Sequence, residues 1–199
     1  MSSPVLADVL RPADRVPARL YDAILVAGFS LVVALSAQVS IPLPFTPVPV
    51  TLQTLAVVLT GALLGSRRGA VAILLYLGEG FAGLPVFSLG RAGIAHLVGP
   101  TGGYLVGFVA AAWLTGLLVE RRLAGSVLGA LAALILGHLV PYITGVAWLG
   151  VSVGLPRAIS LGFLPFLPGD VLKVAASLGI LAGANVVGAR AAHRSRAEE

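Results

Sequence analysis

The sequence predicts an all-α integral membrane protein, with six transmembrane helices in a single membrane domain over residues 1–199 and both termini cytoplasmic. Three observations lead there. Hydrophobic residues make up 58% of the chain and charged residues 11%, with a mean hydropathy of +1.01. A soluble domain carries roughly 25% charged residues, so these charges are too few to coat a water-facing surface. Apolar runs recur between proline-, glycine- and arginine-rich breaks, and a helix needs about 20 such residues to cross a bilayer. When those runs are threaded back and forth, the arginines collect on one side.

Residues 1–20 carry Arg11, Arg15 and Arg19 but no short apolar core before a small-residue cleavage site. They read as a cytoplasmic arm rather than a signal peptide. The first helix is expected over 21–40, without charge after Asp22. It contains Ala23-Ile24-Leu25-Val26-Ala27, with Gly28 beside it. Small residues at that spacing admit a second helix at close range, either inside the bundle or from another subunit. Four prolines between 41 and 49 then make a stiff, extended loop. The second helix is expected over 50–64, ending in Gly65-Ser66-Arg67-Arg68, and the third over 69–80. Both are short for a full crossing. A glycine-rich connection covers 83–103, and the fourth helix runs over 104–119 to Glu120-Arg121-Arg122. The fifth lies within 123–153, where Pro141 is expected to kink it and free a carbonyl near Gly137 or His138. A loop over 154–169 leads to the sixth helix, which begins near Asp170, and residues 190–199 form a cytoplasmic basic tail.

With the N-terminus inside, the cytoplasmic segments hold Arg11, Arg15, Arg19, Arg67, Arg68, Arg121, Arg122, Arg190, Arg194 and Arg196 out of 13 basic residues. The opposite side receives Arg91 and Arg157, with Lys173 at the mouth of the last helix. This asymmetry puts the chain in the cytoplasmic membrane as a multi-pass protein and gathers its three irregular stretches on the outer face. Those are the proline loop, the glycine-rich connection and the segment before Asp170. Convergent irregular segments at one end of a bundle make a ligand pocket.

The last of these stretches holds the only lysine of the chain, three residues after Asp170. Positions i and i+3 share a helix face. A first-turn carboxylate suits the helix dipole, whereas a lysine there opposes it and needs a partner. Two readings fit. Either Asp170 and Lys173 pair with each other at the membrane boundary, where a lysine can snorkel to water, or they face a cavity and bind a ligand, as intramembrane charges usually do. Thr101, Gly102, Gly103 and Tyr104 open the fourth helix within Gly99-Pro100-Thr101-Gly102-Gly103-Tyr104. Glycines there let a ligand approach backbone N–H groups, or simply make a tight turn. Gln53 can donate and accept at once, and Glu79 and Arg91 flank the glycine-rich connection as ligand contacts, an ion pair or solvated charges. His96 and His138 have no metal-ligand spacing, and no cofactor or metal is expected. The scattered arginines form no nucleic-acid face. No G-x-x-x-x-G-K-[ST] loop, G-x-S-x-G elbow or H-E-x-x-H pair occurs, so no enzymatic activity and no ATP hydrolysis are expected of the chain.

The run Ile41-Pro42-Leu43-Pro44-Phe45-Thr46-Pro47-Val48-Pro49-Val50-Thr51-Leu52-Gln53-Thr54 resembles a signature of the BioY family, the biotin-binding substrate components of energy-coupling factor transporters. Gly83-Leu84-Pro85-Val86-Phe87, the Gly99–Tyr104 motif and the 165–173 segment are similar to that family's later motifs, in the same order, so that the similarity spans about residues 23–189. The resemblance implies a six-helix bundle that captures biotin from outside. It implies Asp170, Lys173 and Tyr104 at the ligand, where Asp170 is a fair acceptor for the ureido N–H groups and Lys173 either pairs with the carboxylate or supports the ureido carbonyl. It also implies a membrane coupling protein and two ATP-binding subunits as partners, with Ala23 and Ala27 at the coupling contact. Two readings from other classes compete: an ion-coupled secondary transporter of a small carboxylate, marked by a titratable group buried in mid-helix, and a structural membrane protein without a ligand.

Overall fold

In an apolar solvent every backbone N–H and C=O must be satisfied within its own segment, and this chain meets that demand with helices. The computed structural model describes residues 5–11, 16–121 and 126–197, and side chains as far as residue 189. Arg15, Arg122 and the side chains of Arg190, Arg194 and Arg196 lie outside the described residues. The elements are α1 (Leu6–Val9), α2 (Ala18–Gln38), β1 (Ser40–Ile41), β2 (Val50–Thr51), α3 (Gln53–Leu64), α4 (Ser66–Phe81), α5 (Ala95–Val98), α6 (Gly102–Glu120), α7 (Val127–Val153), α8 (Leu155–Gly162) and α9 (Leu167–Ala197). Among the described residues, four helical stretches are long and apolar enough to cross a membrane: Ala18–Gln38, Gly102–Glu120, Val127–Val153 and Leu155–Ala189. The helices α3 and α4, with 12 and 16 residues, are shorter.

The boundaries differ from expectation where turns are tighter than composition suggests. Val50 and Thr51 do not begin a helix. They pair antiparallel with Ile41 and Ser40, closing the proline loop into a ribbon, and α3 starts at Gln53. Gly65 alone separates α3 from α4, with φ +87°. Arg67 and Arg68 therefore lie in the first turn of α4 rather than in a loop. A carboxylate makes this abrupt restart possible. Glu120, at the end of α6, accepts from the Ser66 N–H at 2.7 Å and from the Ser66 hydroxyl, serving the unpaired donors and the positive end of α4. The expected loop over 154–169 holds α8, with Pro156 in its first turn, and a 3-10 turn at Leu164–Phe166. The last helix then begins at Leu167, three residues earlier than expected, because a proline is tolerated in a first turn. Pro141 sits inside α7, which continues through it.

The bundle is inverted relative to a soluble protein. Leu31, Leu35, Ile143, Val151, Val171 and Leu172 are exposed, whereas Ser30, Gln53, Thr60, Thr115, His138, Asp170, Lys173 and Ser177 are buried. Thr60 and Thr115 donate to the carbonyls one turn back, at Ala56 and Ala111. Ser30 reaches Glu79 across the α2–α4 contact at 2.8 Å, so Glu79 ties two helices together instead of pairing with Arg91. The apolar centre gathers Val33, Val57, Ile73, Tyr76, Phe87 and Phe108.

Small residues set the helix spacing, as expected where lipid removes the hydrophobic drive for helix association. A Cβ on Gly61 would meet the Ala112 carbonyl oxygen at 2.1 Å, whereas a Cβ on Gly28 would meet nothing within 4 Å. Gly61→Ala is therefore expected to cost about 1–3 kcal/mol by overpacking, and Gly28→Ala to be silent. Thermal unfolding of both variants in detergent measures this, and equal melting temperatures would contradict the seam.

Candidate functional site

The proline loop, the connection from α4 to α6 and the α8 region meet at one end of the bundle and enclose a cavity. Val48, Pro49, Thr51, Gln53, Thr54, Ser88, His96, Thr101, Tyr104, Leu105, Phe108, Pro141, Tyr142, Phe166 and Lys173 line it. The space open to the centres of water-sized spheres is about 50 Å³, enough for a few waters at roughly 10–15 Å³ each. Its walls are mostly aromatic and aliphatic, with polar groups at separate points, as in small-molecule sites.

At the α9 end of the cavity both charged residues are buried, with Asp170 7% and Lys173 8% exposed, and Lys173 is in the lining whereas Asp170 is not. The Lys173 ammonium donates to Asp170 Oδ1 at 3.0 Å and to Thr54 Oγ1 at 3.0 Å. The Tyr142 hydroxyl donates to Asp170 Oδ2. Asp170 thus stands behind Lys173 and Tyr142, and those two present their own faces to the cavity. One of the three ammonium N–H donors has no partner among these bonds. The pair does not snorkel to a boundary. It is an internal ion pair that joins α9 to α3 and α7.

The other expected residues divide. Gln53 lines the cavity and donates to the Tyr76 hydroxyl at 2.8 Å. Tyr104 also lines it, but its hydroxyl donates to the Gly162 carbonyl at 2.8 Å, leaving the ring as the exposed surface. Thr101 lines it with its hydroxyl against His96 Nε2 at 3.2 Å. Gly102 and Gly103 are absent from the lining. Their missing side chains serve packing instead: a Cβ would meet the Leu97 carbonyl oxygen at 1.6 Å and Trp148 Cβ at 2.4 Å, respectively. The Gly102 and Tyr104 N–H groups are bonded to the Gly99 and Thr101 carbonyls. Arg91 is exposed and outside the lining. Ala23 and Ala27 are exposed on α2, so the small-residue stripe does not pack inside this chain.

Several contributors were not singled out from the sequence. Tyr142 follows a helix-interior proline and reads there as an ordinary aromatic. Thr54 sits one residue from Gln53 and carries no signal of its own. His96 stacks on Phe87, with ring centroids 5.2 Å apart and planes at 17°. Phe87 is held over Gly80, where a Cβ would meet its ring at 2.2 Å. Gln38 fastens this roof. Its Nε2 donates to the Val86 and Phe87 carbonyls, and its Oε1 accepts from the Gly90 N–H. Burial pushes the His96 imidazole below its usual range, and the neighbouring Arg91 charge pushes it further the same way. Among the described residues no His, Asp or Glu cluster could hold a metal ion.

Removing one member of a buried ion pair leaves an uncompensated charge, at about 3–5 kcal/mol. Lys173→Met is therefore expected to lower the melting temperature sharply. Adding Asp170→Asn to it is expected to restore part of the loss. A double variant no more stable than Lys173→Met would mean that the two groups are not coupled.

Comparison with known proteins gives a consistent result. A "Biotin transporter BioY" from Rhizobium etli is 42% identical over 183 residues, covering 85% of this chain and 98% of its own length. Another from Rhodobacter capsulatus is 43% identical, over 73% of this chain and 82% of its own. A "Probable biotin transporter BioY" from Pyrococcus horikoshii is 39% identical, over 77% and 90%. The crystal structure of an S-component for biotin from an ECF-type ABC transporter superposes with a TM-score of 0.75 at 26% identity, covering 84% of this chain and 93% of that one. The BioY family model itself matches residues 11–190, and the chain belongs to the BioY family.

Proposed function

We infer that this chain takes up biotin, as the substrate-binding component of an energy-coupling factor transporter. One observation carries the reading: a buried ammonium–carboxylate pair closes one polar end of a cavity walled mostly by aromatic and aliphatic side chains, in a chain whose relatives are biotin transporters. Biotin has a matching distribution of chemistry, with a ureido ring that both donates and accepts, an apolar body and a terminal carboxylate. The free Lys173 N–H donates to the ureido carbonyl, and Asp170, which stands behind Lys173 and Tyr142, holds both of these donors at the cavity wall. Gln53, Thr101 and the Tyr104 ring enclose the body, and Gly102 and Gly103 hold that wall in place. Arg91 supplies positive charge at the rim.

The six crossing helices in this reading are α2, α3, α4, α6, α7 and α9, with α3 and α4 completed by flanking apolar residues. Residues 1–20 and 190–199 are cytoplasmic, residues 21–189 form the bundle, and the membrane is the cytoplasmic one. The chain hydrolyses no ATP. A membrane coupling protein and two ATP-binding subunits supply the energy, and α2 meets the coupling protein through Ala23 and Ala27. The exposure of these two small residues on α2 supports the contact.

His138 favours a second reading, an ion-coupled transporter working alone. It is 3% exposed in the middle of α7, with Nδ1 on the Leu134 carbonyl and no partner on Nε2. Biotin uptake by vesicles containing this chain alone, without ATP, would select it.

Calorimetric titration of the purified chain with biotin tests the main reading, which expects saturable one-site binding. Asp170→Asn removes a charged acceptor, worth about 1.5–3 kcal/mol, so affinity is expected to drop roughly ten- to hundredfold. Unchanged affinity would take Asp170 out of the site. Leu at both 23 and 27 is expected to leave biotin binding intact while abolishing co-purification with the coupling protein, and persistent co-purification would refute that interface.

A further inference from the structure

The two polar regions of the cavity differ in net charge. Lys173 is matched by Asp170 at 3.0 Å, so the α9 end is neutral as a whole and suits a neutral hydrogen-bonding ring. The connection from α4 to α6 brings Arg91, which has no carboxylate partner among the ion pairs of the described residues. It also brings His96, the one imidazole in the cavity lining. His96 is held rather than loose, with its ring stacked on buried Phe87 and its Nε2 on Thr101 Oγ1. The other titratable groups around the cavity are the phenols of Tyr104 on α6 and Tyr142 on α7 and the Asp170–Lys173 pair on α9, while Tyr76 of α4 lies behind Phe87. Gln53 from α3 and Gln38 from α2 carry no charge. Nothing in this set offsets a positive charge on His96.

We propose that His96 recognises the carboxylate end of the ligand and takes up a proton as the ligand binds. This rests on the biotin reading above. In the free protein, burial and Arg91 both disfavour the imidazolium, and His96 is neutral at pH 7. A ligand carboxylate arriving beside it brings the missing negative charge and raises the imidazole pKa. The proton comes from solvent, at most one per ligand, and the carboxylate stays ionised. A group whose pKa rises on binding strengthens binding as pH falls. The gain is complete below the free-state pKa and lost as pH climbs through the bound-state value.

Titrating the full chain with biotin at pH 7 in phosphate and in Tris reads the protons exchanged, from the difference in heat between the two buffers. Net uptake is expected, with affinity rising as the pH falls from 8 to 6, by at most about tenfold for each unit of pKa shift. Biotin amide, with a neutral tail, is expected to show neither effect on the same unaltered protein. His96→Phe, which keeps the stack on Phe87, and His96→Gln, which keeps a partner for Thr101, are both expected to bind biotin more weakly and without uptake. Tight biotin binding with no uptake, equal uptake with the amide, or uptake that persists in both variants overturns the proposal and leaves the biotin reading standing. Absence of biotin binding by the unaltered chain overturns both.

Discussion

A carboxylate and an ammonium inside a membrane bundle are each expensive, and neither Asp170 nor Lys173 would persist there alone. Their mutual pairing constrains much of the surrounding structure. Because α9 starts at Leu167, Asp170 falls in its first turn, where the dipole favours a negative charge. Lys173, one turn further in, opposes the dipole and is held by the carboxylate on its own face. The bonds that complete the pair reach other helices, to Thr54 on α3 and Tyr142 on α7. The same interaction that makes the charges tolerable also fixes the position of α9 against the cavity.

Aromatic placement depends on a second constraint, the absence of side chains at facing positions. Tyr104 lies across α7 because Gly145 leaves room for its ring, and its hydroxyl reaches α8 because Gly162 has no Cβ. Phe87 rests on Gly80 in the same way and in turn supports His96. Gly145, Gly162 and Gly80 thus act through the rings they position. Gly102 and Gly103 admit Leu97 and Trp148 instead, neither of which lines the cavity.

Much of this was legible in the sequence. Composition gave the solvent, because apolar surface without charge has only one stable environment. The i, i+3 spacing put Asp170 and Lys173 on one face, and ordered motifs gave the family. Features set by contacts between distant segments were not legible. The restart of α4 at Ser66 depends on Glu120, 54 residues away, and no local pattern announces it. Tyr142 acquires its role from Asp170, 28 residues on. Arg91 was singled out for its charge, and its exposure follows from the hairpin-like pairing of Phe87 with Arg91, which local composition does not specify. Glu79 was placed beside Arg91 by sequence proximity, whereas packing gave it to Ser30.

The two ends of the bundle are held in different ways, and this bears on how a ligand enters so narrow a cavity. At the end away from the cavity, Arg68 joins Asp8 and Asp22 at 2.6 and 2.8 Å, Glu120 holds Ser66, and Gly61 and Gly69 lie in direct backbone contact. At the cavity end the covering segments are attached by individual neutral hydrogen bonds: Thr46 to Leu161, Gln38 to Phe87, and Trp148 to Gly99. Each such bond contributes about 1 kcal/mol net, far less than parting a close-packed glycine seam would require. Local opening follows the weakest attachments. Entry of a ligand therefore calls for movement of the proline loop and the segment that carries His96, while buried Phe87, the helices and the Asp170–Lys173 pair stay where packing holds them.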